Sequence, residues 1–244
     1  MTKSTDIAIP KDKYNNQHGI FNPKDQRLYI KIYGGGSSGS FIALTLAKMG
    51  FNNIEVVDFD TVELHNIPNQ FYRIKDIGKP KVDALKDIIK EFTDVDIIAV
   101  NTKIDDNYTI MLSSDILYII CVDNVETRRV IYSQLKDSPM LVIDGGLGGE
   151  EFHTQVLQMN NLEHQKRYEE YLNSEHKDMP CGFQNVIYTI LNEASEICNI
   201  VKRIDKKETV PEQLRRDMRS YRILTPQKVD INVNNDEIVI SHDT

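Results

Sequence analysis

Apolar residues recur along this chain in two alternating rhythms. Leu28 to Tyr33 is a short run that reads as a strand, and it enters the glycine-rich stretch Gly34 to Gly39. Phe41, Leu44, Leu46, Ala47 and Met49 then follow at helical spacing until Gly50 stops them. Ile54 to Val57 is a second strand, placed to lie beside the first in a parallel sheet. Lys79 to Phe92 has the spacing of an amphipathic helix, Asp96 to Val100 and Ile116 to Val122 of strands, Val125 to Leu135 of a helix, and Met140 to Ile143 of another strand. This alternation predicts an α/β fold with a Rossmann-like, doubly wound and mostly parallel sheet.

Beyond Asp144 the rhythm changes. Thr154 to Met159 is strand-like, but Asn160 to Pro180 is polar and reads as a long loop, so a crossover segment is expected over about 160–182. Ile187, Ile190, Leu191, Ala194, Ile197 and Val201 mark a helix, and two strands flank the turn Asn234-Asn235-Asp236. The stretch 185–244 is thus read as a C-terminal helix and hairpin, an antiparallel extension of the sheet. Residues 1–27 carry little periodicity, and with Pro10 and Pro23 they predict an N-terminal arm ahead of one domain over 28–244.

Composition bounds the function. At 40% hydrophobic and 27% charged residues the chain is an ordinary globular sequence, neither fibrous nor disordered. No apolar run approaches the about 20 residues of a membrane span, and Met1 to Lys13 lacks an apolar signal core. Three cysteines without a C-x-x-C pair support neither a disulfide framework nor a four-cysteine zinc site. A cytoplasmic protein with reduced thiols and no membrane partner is expected. The formal net charge of −8 argues against a nucleic-acid partner. The local exception, Lys202 to Arg222 with eight basic residues against four acidic, reads as a solvated helix face.

The spacing Gly34-x-Gly36-x-x-Gly39 after a strand lets the backbone approach a phosphate, and the next helix presents free N–H groups to it. Asp58, about twenty residues on at a strand end, suits a ribose hydroxyl. On these residues alone NAD and ATP fit equally. Asp60, Asn66, Gln70 and Lys81 separate them, because they add carboxylate, amides and a lysine that a dinucleotide fold does not need and a triphosphate does. Asp123 ends a buried strand at the carboxyl edge of the sheet, a place from which it can carry Mg²⁺.

Four segments in this order, GGGSSG, DFDTVELHN, DIGKPK and the V-D-N ending at Asn124, resemble the ThiF/MoeB-type adenylyltransferases of the ubiquitin-activating enzyme superfamily. The resemblance runs from about Leu28 to Ile204. It implies a homodimer that binds ATP with Mg²⁺ and directs a substrate carboxylate, commonly the C-terminus of a ubiquitin-like protein or peptide, onto the α-phosphate with release of pyrophosphate. By the same resemblance Gly36 belongs to the phosphate loop, Asp58 to the ribose, Asn66 and Lys81 to the phosphates, and Asp123 to the metal. Cys181 stands where some members carry a nucleophilic cysteine, and a thiolate would be the strongest nucleophile at neutral pH. The paired zinc-binding cysteines of many members are missing. The usual N-x-x-R-Q motif reads Asn66-Ile67-Pro68-Asn69-Gln70, so Asn69 replaces a phosphate-binding arginine. Were this stretch helical, Arg73 would share a face with Asn69 and could supply the lost cation.

Overall fold

The structure, a computed structural model, describes residues 12–174, 185–224, 228–234 and 237–241. Its frame is an eight-stranded sheet. Five parallel strands, β1 (Tyr29–Tyr33), β2 (Ile54–Val57), β3 (Ile98–Val100), β4 (Ile116–Ile120) and β5 (Leu141–Gly148), lie in the order β3-β2-β1-β4-β5. Strand β6 (Glu151–Gln158) then runs antiparallel to β5. Outside the large sheet, the short β7 (Val210–Pro211) leads into β8 (Gln213–Asp217), which with β9 (Arg222–Leu224) continues the antiparallel edge beyond β6. The expected mostly parallel sheet with an antiparallel extension is therefore what the chain forms. Strand β10 (Lys228–Asn234) pairs with β7 on one side and with β11 (Glu237–Ser241) on the other, the second pairing being the C-terminal hairpin. Asn235 and Asp236 of its turn lie outside the described residues.

Strands β1 and β4 read as continuous apolar runs because both of their faces are covered. On one face Ile30, Ile32, Leu117, Ile119 and Ile143 pack under helices α1 (Ser37–Met49), α2 (Lys81–Thr93) and α5 (Ile187–Asp205). On the other, Tyr33, Tyr118, Ile120 and Val142 meet α3 (Val125–Leu135) and α4 (Leu162–Asn173). Each fully buried large side chain stabilises such a layer by about 1.5–3 kcal/mol, so the sheet edge that carries the site is rigidly held.

Two differences from the sequence reading have identifiable causes. Leu162 to Asn173 is a helix, not a loop: Asn161 caps α4 by accepting from the amides of Glu163 and His164, and Tyr168 and Leu172 with the part-buried Tyr171 give the helix a narrow apolar face. The basic run is not a helix face either. Helix α5 ends at Asp205, and Arg215, Arg216 and Arg222 belong to β8 and β9. Residues 12–27 are docked, with Phe21 buried and stacked on Phe51 at 4.8 Å and the amide of Arg27 donating to Asp205 Oδ1 at 2.8 Å.

Candidate functional site

The strand order reverses between β1 and β4, and a crevice opens there at the carboxyl ends of both strands, as open α/β sheets generally provide for ligands. The glycine loop forms one lip. Gly34 takes φ 98°, a left-handed conformation, and a Cβ there would stand 2.8 Å from the carbonyl of Cys121, so only glycine lets the ends of β1 and β4 approach. Gly39 has the same role one turn into α1, where a Cβ would fall 1.9 Å from the Gly34 carbonyl oxygen. Gly36 differs. A Cβ on it would meet nothing within 4 Å, because it faces the cleft. As N-cap of α1 it offers no side-chain cap, which leaves the first-turn amides open to an anion.

The carboxylates and lysine gather at the opposite lip. Asp58 accepts from the Gly35 amide at 2.7 Å and from the Asp60 amide at 2.8 Å, and so ties the loop to the end of β2. Burial raises the Asp58 carboxyl above its ordinary value against the pull of nearby Lys81 and those two amides. Lys81, at the start of α2 and buried, reaches Asp60 Oδ2 at 2.8 Å. Both line the same cleft as Asp123, whose neighbour Asn124 caps α3 through the amides of Glu126 and Thr127.

The other predicted residues divide. Gln70 lines the cleft with its Oε1 buried and without a hydrogen bond. Asn66 is buried but outside the cleft wall, and its Oδ1 accepts from the Glu63 amide at 2.8 Å, shaping a short 3-10 turn over Leu64–Asn66. The buried Oδ1 of Asn69 has no partner either. Arg73 does not share a helical face with Asn69, because the chain between Asn66 and Ile74 is turn and bend. Its guanidinium donates to Asp76 at 2.7 and 3.1 Å and to Glu91, and it is not among the cleft-lining residues. Burial pushes the Asp76 carboxyl up, yet Arg73 and Lys79 hold it below the usual carboxylate range. Cys181 lies outside the described residues. Cys198 is buried in α5 and Cys121 is half-buried at the cleft, and burial raises both thiols, which suits packing better than nucleophilic attack.

A further set of residues escaped the sequence reading. Under the glycine loop, Ser38 Oγ donates to Glu193 Oε2, and Arg128 bonds Asp144 and the Gly145 carbonyl, the latter at 2.8 Å. All four side chains are buried, and Ser38 and Arg128 line the cleft. A signal for two of them was present: Arg128 lies three residues before the core residue Ile131, and Glu193 lies between Ile190 and Ile197 on the apolar stripe of α5. A charge on a buried stripe is what pattern reading should mark.

The cleft measures about 1000 Å³ and continues past Asp123 to a far floor of Gly145–Gly148, His153 and Arg215. A nucleotide's phosphates fit the lip: open amides, a buried lysine and the carboxylate of Asp123 are the kind of groups a magnesium nucleotide takes. Among the described residues no group of three or more His, Cys, Asp or Glu is placed to hold a metal alone. At phosphate-binding sites Mg²⁺ is commonly held by one or two carboxylates and by the phosphates themselves, and Asp123 suits that part.

Comparison with known proteins points in the same direction. The catalytic subunit of NEDD8-activating enzyme E1 of Arabidopsis thaliana is 30% identical over 151 residues, 54% of this chain and 33% of that protein. The molybdopterin-synthase adenylyltransferase of Escherichia coli (strain K12) is 32% identical over 109 residues, 43% of each. The matched segments thus span less than half the length of these curated relatives. Among solved structures, E. coli MccB with ATP has a TM-score of 0.65 at 15% identity, covering 83% of this chain and 64% of that one. PaaA has a TM-score of 0.62 at 20% identity, covering 86% and 76%. At these identities the likeness is one of fold. The sequence profile of the ThiF family matches residues 22–237, and the chain belongs to that family.

Proposed function

We propose that this protein is an ATP-dependent adenylyltransferase that activates the C-terminal carboxylate of a ubiquitin-like protein or peptide. The observation that carries the reading is the convergence of Gly36, Asp58, Lys81 and Asp123, drawn from four separate segments of the chain, on one cleft at the strand-order reversal. The first turn of α1 would take phosphate oxygens, Asp58 the ribose, Lys81 the phosphate charge and Asp123 a magnesium ion. Mg²⁺, when bound, would neutralise charge on the departing pyrophosphate. The substrate carboxylate would enter over the glycine floor of β5, attack the α-phosphorus and leave as an acyl-adenylate. Two relatives named as an activating enzyme and as an adenylyltransferase support this chemistry. The deciding experiment is ATP–pyrophosphate exchange with candidate carboxyl-terminal peptides.

By family resemblance the protein acts as a homodimer, and Cys181 would accept the activated acyl group in a second step. A different reading is favoured by one residue. Asn69 removes a cation that would stabilise the leaving pyrophosphate, so the chain would then be a nucleotide-binding scaffold. That reading predicts ATP binding without exchange for every carboxylate tried.

A further inference from the structure

The buried cluster below the glycine loop holds two carboxyl groups and one cation. Arg128 is committed to Asp144 and to the Gly145 carbonyl, so Asp144 has its countercharge, although burial still raises its carboxyl to about 6. Glu193 has none. It is fully buried, its Oε2 accepts from Ser38, and its Oε1 makes no hydrogen bond of ordinary geometry, although the Gly146 amide near it favours the charge slightly. Around it stand Ser38 of α1, Cys121 beyond β4, Arg128 of α3, Asp144 of β5 and Tyr171 of α4. A Cβ on Gly145 would meet Glu193 Oε1 at 3.0 Å, so the carboxyl is pressed against the sheet with no room for hydrating water on that side.

Ser38 is the link to the cleft. It is the second residue of α1, in the turn whose amides face the cleft, and it lines the same cavity as Asp123. A hydroxyl has one hydrogen to give. When Glu193 is a carboxylate, that hydrogen points away from the cleft into α5, and the oxygen's lone pairs are turned toward any phosphate. When Glu193 is an acid, its own O–H donates to Ser38 Oγ, and the serine hydrogen is released toward the cleft.

We propose that Glu193 is a positioning residue for the nucleotide: in its neutral form it turns the Ser38 hydroxyl onto a phosphate oxygen, so that ATP binding carries the uptake of one proton from solvent. The inference rests on the cleft being a nucleotide site. Desolvation supports it, since burial raises the Glu193 carboxyl to about 7 against the opposing pull of Ser38 and Arg128. A phosphate oxygen that accepts from Ser38 requires the protonated form of Glu193 and so raises its carboxyl further, and that linkage through the hydroxyl is the proton uptake.

The test is calorimetric titration of the intact chain with magnesium ATP from pH 6 to pH 9, in pairs of buffers with different ionisation enthalpies. Wild type is expected to take up close to one proton per nucleotide at pH 8, with affinity falling by about tenfold per pH unit above neutrality. Glu193→Gln keeps the donor and loses the titration, so it should bind with the same affinity at every pH and take up no more than ATP's own phosphates require. Ser38→Ala should bind across the range about as weakly as wild type does at pH 9. A wild-type affinity and proton count indistinguishable from those of Glu193→Gln would overturn the proposal. So would a pH slope in Ser38→Ala equal to that of wild type, because the hydroxyl would then play no part. Failure of wild type and Glu193→Gln alike to bind ATP at any pH would overturn the nucleotide reading and this inference with it.

Discussion

Lys81 and Arg73 are cations in the same stretch of sequence after β2, and the structure separates their tasks. Lys81 is buried beside Asp60 in the cleft wall. Its replacement by alanine should lower pyrophosphate exchange by about 100-fold, the scale of a lost charge-stabilising donor. Arg73→Ala should leave exchange within about twofold and instead cost about 1–3 kcal/mol of stability, because the fully buried Asp76 loses its principal hydrogen-bond donor. Thermal melts and exchange assays on the same two proteins separate the outcomes. A large loss of exchange in Arg73→Ala, with its stability intact, would show that Arg73 serves the phosphates after all. Glu193 carries a stability consequence as well. Its carboxyl is raised from 4.5 to about 7 in the fold, so its favourable contribution is complete below pH 4.5 and is lost as pH rises through 7. Glu193→Gln should therefore be more stable than wild type at pH 8 by about 3 kcal/mol and at pH 5 by less than about 1 kcal/mol. Equal unfolding free energies at both pH values would contradict a buried, titrating Glu193.

At the scale of elements, the glycine loop shows which part of the site was legible in the sequence. The unit β1, loop and α1 announced itself because an apolar run, spaced glycines and a 3.6-residue repeat fall in immediate succession. Its glycines are not equivalent, however. Gly39→Ala would drive a methyl group into the Gly34 carbonyl and should destabilise the protein by about 3 kcal/mol or more. Gly36→Ala meets open space, and its backbone, at φ −76° and ψ −141°, lies just outside the favoured regions for alanine, so it should cost only about 1 kcal/mol of stability while binding ATP at least tenfold more weakly. Equal melting temperatures for the two variants would undo the distinction. Helix α4 and strands β8 and β9 were less legible. Helix α4 buries few apolar side chains, and the Asn161 cap that signals it sits inside a polar stretch. Strand β8, Gln213–Asp217, contains a single apolar residue, Leu214, and its arginines satisfy themselves on Glu151 and Asn192 instead of burying an alternating face. Period-two reading has nothing to detect there.

The whole molecule unites residues far apart in the chain, and this explains what sequence reading could not assemble. Ser38 and Glu193 are separated by 155 positions, and Arg128 and Asp144 belong to different elements. Only the packing of α1 and α5 on one face of the sheet, and α3 on the other, brings them under one cleft. The same scale bears on assembly. Ile187, Tyr188 and Leu191 near the start of α5 stand exposed, together with Ile223 of β9, and the homodimer implied by family resemblance would have such surface to cover. Sedimentation equilibrium should give a mass twice the 28.1 kDa chain, whereas a monomer at micromolar concentration would contradict that part of the account. The central claim is chemical, and ATP–pyrophosphate exchange tests it most directly. With a suitable carboxyl-terminal peptide, the wild-type protein should exchange label and Asp123→Ala should lose at least 100-fold of that rate. Exchange undiminished in Asp123→Ala, or ATP bound tightly with no exchange for any carboxylate, would contradict it.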